Sequence, residues 1–483
     1  MSNKELAMQI PPRNLPIWRQ GLGAILAVVF TLLIWFSHFA GVKPAGQHFM
    51  ALLVMVIVFW IFEVMPAGFA GLLFMTLVAV FKIVPPSVAF SGFTAPVLWL
   101  IFAGLAIGAA ADKTGLGKRM AYWIMVKMRA NTPHKLLWSF LIVGAVLTPL
   151  LPTVFARLAV LIPVGVGLLS AFSVIPGSRM AKFILISMFV GSQGLMLMFM
   201  TGMEPTLLAT GILAHYGIHI YWSDYIIMWF LPGLILNLGL YWASSWLLFR
   251  PRREEYAQET MEIFRAEYEK LGKMSAGEKR MAIWFGIIVL LWLTDFWTHL
   301  NPNWVGVFGA VGLFLPGVGV MEPKDLQARL NFVQILFYAA ALSISGMLTT
   351  LHLDKWLSDL LDKHIALTNT GFLSTFVLGG LVQILHVPLS TVSSTVAATA
   401  PIMIAYAAHH GLNLVWAAWV VVASSAAYIL PYQNAPLLMT YGLGHLTMWD
   451  MIKIGILTTV VTLVAVPLLG ILWWSWSIPM FIH

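Results

Sequence analysis

The chain of 483 residues contains no cysteine. It forms no disulfide, offers no thiolate as nucleophile or ligand, and leaves the redox compartment unread. Charge is the second shortage: Asp, Glu, Lys and Arg make up 10% of the residues, against about 25% in a soluble domain. Acids are the scarcer sign, 19 against 27 bases. No H-E-x-x-H, G-x-S-x-G or Walker motif occurs, so a membrane enzyme built on such a cluster is not indicated, and no metal site is expected.

What is abundant is apolar: 60% of the residues are hydrophobic, and the mean hydropathy is +0.88. Lipid must solvate most of such a chain. The net charge of +8 does not indicate a nucleic-acid partner. Most Lys and Arg sit in short loops between apolar runs, which is how membrane topology is written. Full spans are expected near 22–40, 49–64, 68–84, 95–111, 222–249, 282–299, 304–320, 331–350 and 451–474. Two further spans, 182–217 and 414–447, carry a break. Two interrupted stretches, 136–173 and 372–408, read as hairpins that enter and leave on one side. The expected fold is therefore an all-α polytopic membrane protein of about eleven spans plus two re-entrant hairpins. Residues 1–20 read as a cytoplasmic tail and 250–280 as a cytoplasmic linker between halves 21–249 and 281–483.

The halves resemble each other. Thr153 to Pro163 matches Thr391 to Pro401 as T-V-x4-A-x3-P, and Glu204-Pro205 to Gly211 matches Ala435-Pro436 to Gly442, in the same order. After the span 95–111 come Lys113, Lys118, Arg119, Lys127 and Arg129 against Asp112. After 331–350 come Asp354, Asp359 and Asp362 against Lys355 and Lys363. The first segment reads as cytoplasmic and the second as external, which makes the halves an inverted-topology repeat. The N-terminus is then cytoplasmic and the C-terminus external, in what reads as a bacterial inner membrane.

Breaks are expected at 151–157, 201–206, 389–395 and 431–436. Irregular backbone survives at membrane depth only where protein buries it or a wet cavity meets it. Half-helix N-termini present free amides and positive dipole ends, which suit an anion.

Three segments resemble the divalent anion–sodium symporter family: Trp60 to Pro66, Ala89 to Phe102, and Asp112 to Arg119. The resemblance implies carriage of citrate, dicarboxylates or sulfate by a homodimer whose transport domain moves like an elevator against a scaffold. It also implies a Ser-Asn-Thr motif at each hairpin tip. Here those places hold Thr153-Val154-Phe155 and Thr391-Val392-Ser393. An Asn can ligate Na⁺ and donate to a carboxylate; Val does neither. Na⁺ coupling is thereby put in doubt. Ala156-Arg157 matches the Ala-Arg of the family's citrate- and plastid-exchanger branch.

The candidate substrate residues are Thr153, Arg157, Thr201, Gly202, Thr391, Ser393, Ser394, Thr395, Gln433 and Asn434. Arg157 reads either as a carboxylate anchor or as a structural ion pair with Glu204. The hydroxyls of the second tip can serve an anion, cap a helix, or do both. Glu204 and His386 are candidates for proton or cation coupling, with structural partner and packing residue as the plainer alternatives. The leading function is a secondary carrier of small organic anions, di- or tricarboxylates first, by Na⁺-independent exchange or H⁺ coupling. A Na⁺-coupled symporter and an anion channel are the alternatives. No cofactor is expected beyond a coupling Na⁺ or H⁺.

Overall fold

The computed structural model describes residues 17–151, 153–171, 175–251, 260–362, 367, 369–389 and 391–481. Most of the tail 1–20 and part of the linker 250–280 lie outside these. The described structure is helical, with no strand among the described residues.

The first half runs α1 (Ile17–Phe36), α2 (Pro44–Phe62), α3 (Ala67–Val80), α4 (Pro96–Thr114) and α5 (Leu116–Lys127). The helices α6 (Pro133–Leu147) and α7 (Val154–Ala171), over the stretch expected to form the first hairpin, follow, then the broken pair α8 (Arg179–Gln193) and α9 (Glu204–His215), then α10 (Trp222–Phe249). Proline at the first turn starts α2, α4 and α6, where its missing N–H costs nothing. Gly115, at φ +79°, ends α4. Linker helix α11 (Thr260–Lys270) buries Phe264 and packs on α5 and α7. Arg119 of α5 grips Glu278 through two nitrogens, at 2.6 and 3.2 Å.

The second half runs α12 (Ala276–Leu293), α13 (Pro302–Gly312), α14 (Phe332–Thr350) and α15 (Leu353–Asp362). Hairpin α16 (Phe372–His386) and α17 (Val392–His409), broken pair α18 (Leu414–Ala426) and α19 (Ala435–Tyr441), and α20 (Met448–Phe481) complete it. From α4 and α14 onward the halves repeat the same elements in order. α4 and α14 each have 19 residues, α6 and α16 each 15, and α7 and α17 each 18. Both final helices carry a wide π turn, at Leu234–Gly239 and Gly470–Trp474.

Six helices, α1, α2, α4, α10, α14 and α20, are long and apolar enough to cross a bilayer alone. The stretch expected near 304–320 is helical for only 11 residues, Pro302–Gly312. Pro316 and the left-handed Gly317 reverse the chain there, and the amides of Val320 and Met321 return to the Leu313 carbonyl. The breaks begin earlier than expected. α8 stops at Gln193, where Gly194 takes φ +53°, and α18 stops at Ala426.

Helices meet through small residues, the usual route to close packing in lipid. A Cβ on Gly68 of α3 would lie 2.0 Å from the Val333 carbonyl oxygen of α14, and one on Gly144 of α6 1.7 Å from that of Gly191 in α8. α15 is tied to the hairpin foot where Asp362 accepts from the Tyr406 hydroxyl at 2.6 Å and pairs with His410. The Tyr406 hydroxyl first, and His410 with it, hold the Asp362 carboxyl below its usual range.

Candidate anion site

Four helix starts converge on one cavity of about 620 Å³: those of α7, α9, α17 and α19. Each follows a chain break. The α2–α3 turn, α14 and the ends of α8 and α18 close the wall. Thr153 caps α7 by accepting from the Ala156 amide at 3.0 Å. Thr391 caps α17 through the Ser394 amide at 3.0 Å, and Asn434 caps α19 through the Leu437 amide at 3.1 Å. The cap hydroxyls and amide therefore hold the breaks in shape.

Caps satisfy only some of the leading donors. Among the described residues, the amides of Val154, Phe155, Val392, Ser393 and Ala435 make no hydrogen bond, and all five residues line the cavity, whereas the Glu204 amide is taken by its own carboxylate. The wall holds no Lys, Arg or His among the described residues; its charged side chains are Glu63 and Glu204. Attraction for an anion in this cavity therefore has to come from backbone amides and helix dipoles rather than from a cationic side chain.

Of the sequence-derived candidates, Thr153, Thr391, Ser393, Ser394, Gln433, Asn434 and Glu204 line the cavity. Ser393 bonds the Tyr338 hydroxyl at 2.9 Å. Gln433 spends its side chain on the second break: its carbonyl accepts from the Ile429 and Leu430 amides, and its amide donates to the His386 carbonyl. Val154 and Val392 sit first in α7 and α17, so apolar side chains stand where the family resemblance implies Asn.

Arg157, Thr201, Gly202, Thr395 and His386 do not reach the cavity. Arg157 is fully buried, and its guanidinium donates to the carbonyls of Leu151, Ser192, Gly202 and Gln193, at 2.6, 2.7, 3.1 and 3.4 Å. This corrects the anchor reading. The charge is absorbed by the C-terminal carbonyls of α8, a favourable place for a cation. Arg157 and Glu204 act on each other through charge in the buried site, but no contact between them falls within ion-pair distance. Thr201 accepts from the Trp222 indole, at 3.3 Å. Thr395 and His386 bond each other in the buried hairpin, and His386 itself does not line the cavity.

Sequence reasoning missed Gln193 and Tyr338. Gln193, 1% exposed, lines the cavity with a side-chain amide nitrogen that has no partner among the described residues. Its position just before Gly194, where α8 stops, was the available signal. Met196, Met203, Phe155 and Phe337 give the wall apolar surface, beside the amides of Gln20, Asn331 and Gln334.

The family described as "Sodium:sulfate symporter transmembrane region" matches residues 19–480. The chain belongs to this family. Members and relatives are transporters, not enzymes, and the chain is an integral membrane transporter of anions. It is 25% identical over 477 residues to a protein of Cupriavidus necator named "Membrane protein", covering 94% of this chain and 92% of the other. The L-tartrate/succinate antiporter of Escherichia coli K12 is 27% identical over 403 residues, with 80% of each chain covered. The putative malate transporter YflS of Bacillus subtilis is 24% identical, covering 71% and 72%. The fold is similar to that of the YdaH transporter of Alcanivorax borkumensis, with a TM-score of 0.52 at 15% identity, over 95% and 97% of the chains.

Proposed function

We propose that this symporter-family member carries small di- or tricarboxylates by alternating access of an elevator type, without Na⁺. The observation that carries the reading is the set of unpaired amides at the starts of α7, α17 and α19, in a cavity whose wall, among the described residues, holds no cationic side chain. Carboxylate oxygens accept from such amides, and the apolar wall suits a carbon skeleton. The names of the tartrate/succinate and malate relatives support the carboxylate class.

Coupling follows from the charge balance. A dianion entering beside Glu204 meets a like charge in a poorly hydrated site, which a proton on Glu204 relieves. The side chains of Val154 and Val392 supply no oxygen ligand for Na⁺ at the tips, unlike the Asn that the family resemblance implies there. Uptake of labelled succinate or tartrate into proteoliposomes is expected to persist when choline replaces Na⁺. A strict Na⁺ requirement would overturn the coupling. Glu204→Gln, fixed in the neutral form, is expected to retain exchange and lose its response to an imposed pH gradient.

A further inference from the structure

At the opposite end of α10 from its Trp222 start, a second cavity of about 470 Å³ lies between three helix ends. The C-terminal end of α10 brings Arg250, the start of α8 brings Arg179 and Lys182, and the start of α20 brings Lys453 and Asp450. Four cations thus face one carboxylate. That carboxylate is spent: Asp450 pairs with Lys182 at 2.7 Å and accepts from the Thr447 hydroxyl and amide, at 2.6 and 2.9 Å. Among the described residues, no carboxylate lies within ion-pair distance of Arg179, Arg250 or Lys453.

The surroundings are those of a membrane surface. Arg250 stacks over the Trp246 ring at 4.8 Å, and Lys453 lies over Trp449 at 5.9 Å. Tryptophans at the ends of spans mark the headgroup level. Below the charges, Leu247 and Leu248 line the same cavity and are exposed, Leu247 by 72%. A soluble anion has no use for that apolar flank. The chain continues from Arg250 into a linker with eight Lys and Arg beside seven acids, and the positive-inside rule, which counts Lys and Arg rather than net charge, puts this end on the cytoplasmic side.

We infer that this cavity is a binding site for an anionic phospholipid. The phosphate meets Arg179, Arg250 and Lys453, and an acyl chain runs along Leu247 and Leu248. Basic pockets between spans on the cytoplasmic face recognise lipid headgroups in this way.

The test is a tryptophan-fluorescence melt of the purified full chain in a non-ionic detergent. Dioleoyl phosphatidylglycerol, dioleoyl phosphatidylcholine and glycerol 3-phosphate are titrated separately. The anionic lipid is expected to give a saturable rise in midpoint that shrinks with added salt, because exposed charges are screened. The other two give none. Arg179→Gln with Lys453→Gln removes the rise, whereas Lys279→Gln with Arg280→Gln, at the start of α12, keeps it. If the double variant does not fold, Arg250→Gln alone is measured by native mass spectrometry, and loss of bound phosphatidylglycerol is expected. An equal rise with phosphatidylcholine, a rise with glycerol 3-phosphate alone, or full lipid retention in the variants overturns the assignment.

Discussion

A buried arginine at a break invites a substrate role, because burying its charge is expensive. In this protein the charge answers to the chain itself. Arg157 holds carbonyls from the hairpin tip, the end of α8 and the turn before α9, so one side chain fixes two breaks together. Losing it leaves buried acceptors without partners, at about 1–3 kcal/mol for each orphan. Arg157→Gln should therefore lower the unfolding midpoint strongly, while the fraction that folds keeps its affinity for a carboxylate in a ligand-shift assay. Normal stability with lost affinity would restore the anchor. The sequence marked Arg157 as important but left its role open. Its partners are main-chain oxygens some 35 to 45 positions away, at Ser192 and Gly202, and backbone carries no residue-type signature. The cap at the second tip was easier to read, since Thr391 is a residue type that favours helix starts, whereas the capping by Thr153 and Asn434 emerged only from the structure.

At the level of elements, the interruptions of the helices were legible through Pro, Gly and the internal match, and the starts of the half-helices were placed better than their stops. Glu204-Pro205 and Ala435-Pro436 mark where the second half-helices begin. Where the first ones end depends on tertiary contact, and the sequence pattern is silent on it. α8 is pressed so closely on α6 that Gly144 and Gly191 touch backbone to backbone. Gly144→Val would push side-chain atoms through that contact. It is expected to cost about 1–3 kcal/mol or more, as overpacking does, and to lower the thermal midpoint. Gly167→Ala in α7 is the control. Its Cβ would meet nothing within 4 Å, and the better helix propensity of Ala makes the change neutral or mildly stabilising, by up to about 1 kcal/mol. Equal losses at both positions would mean that the α6–α8 contact is not what limits the fold.

The whole molecule repeats one set of elements twice, and the carrier reading requires the copies to be inserted in opposite senses. The unequal charge after α4 and α14 is the argument for opposition: five bases against one acid follow the first, and three acids against two bases follow the second. The basic flank is retained on the cytoplasmic side. The proposed carrier mechanism therefore expects the foot of the first hairpin inside and that of the second outside, with the two tips reaching the cavity from opposite leaflets. A cysteine-free chain allows a direct test, because each introduced thiol is the only one present. Asn131 precedes α6 and Thr370 precedes α16, and both are exposed. In intact cells a membrane-impermeant maleimide should label Thr370→Cys, and should label Asn131→Cys only after the membrane is opened. Labelling of both from outside would place both hairpins on one side. The free amides of α7 and α17 would then share a single face of the membrane, and alternating access around a fixed central cavity would lose its structural basis.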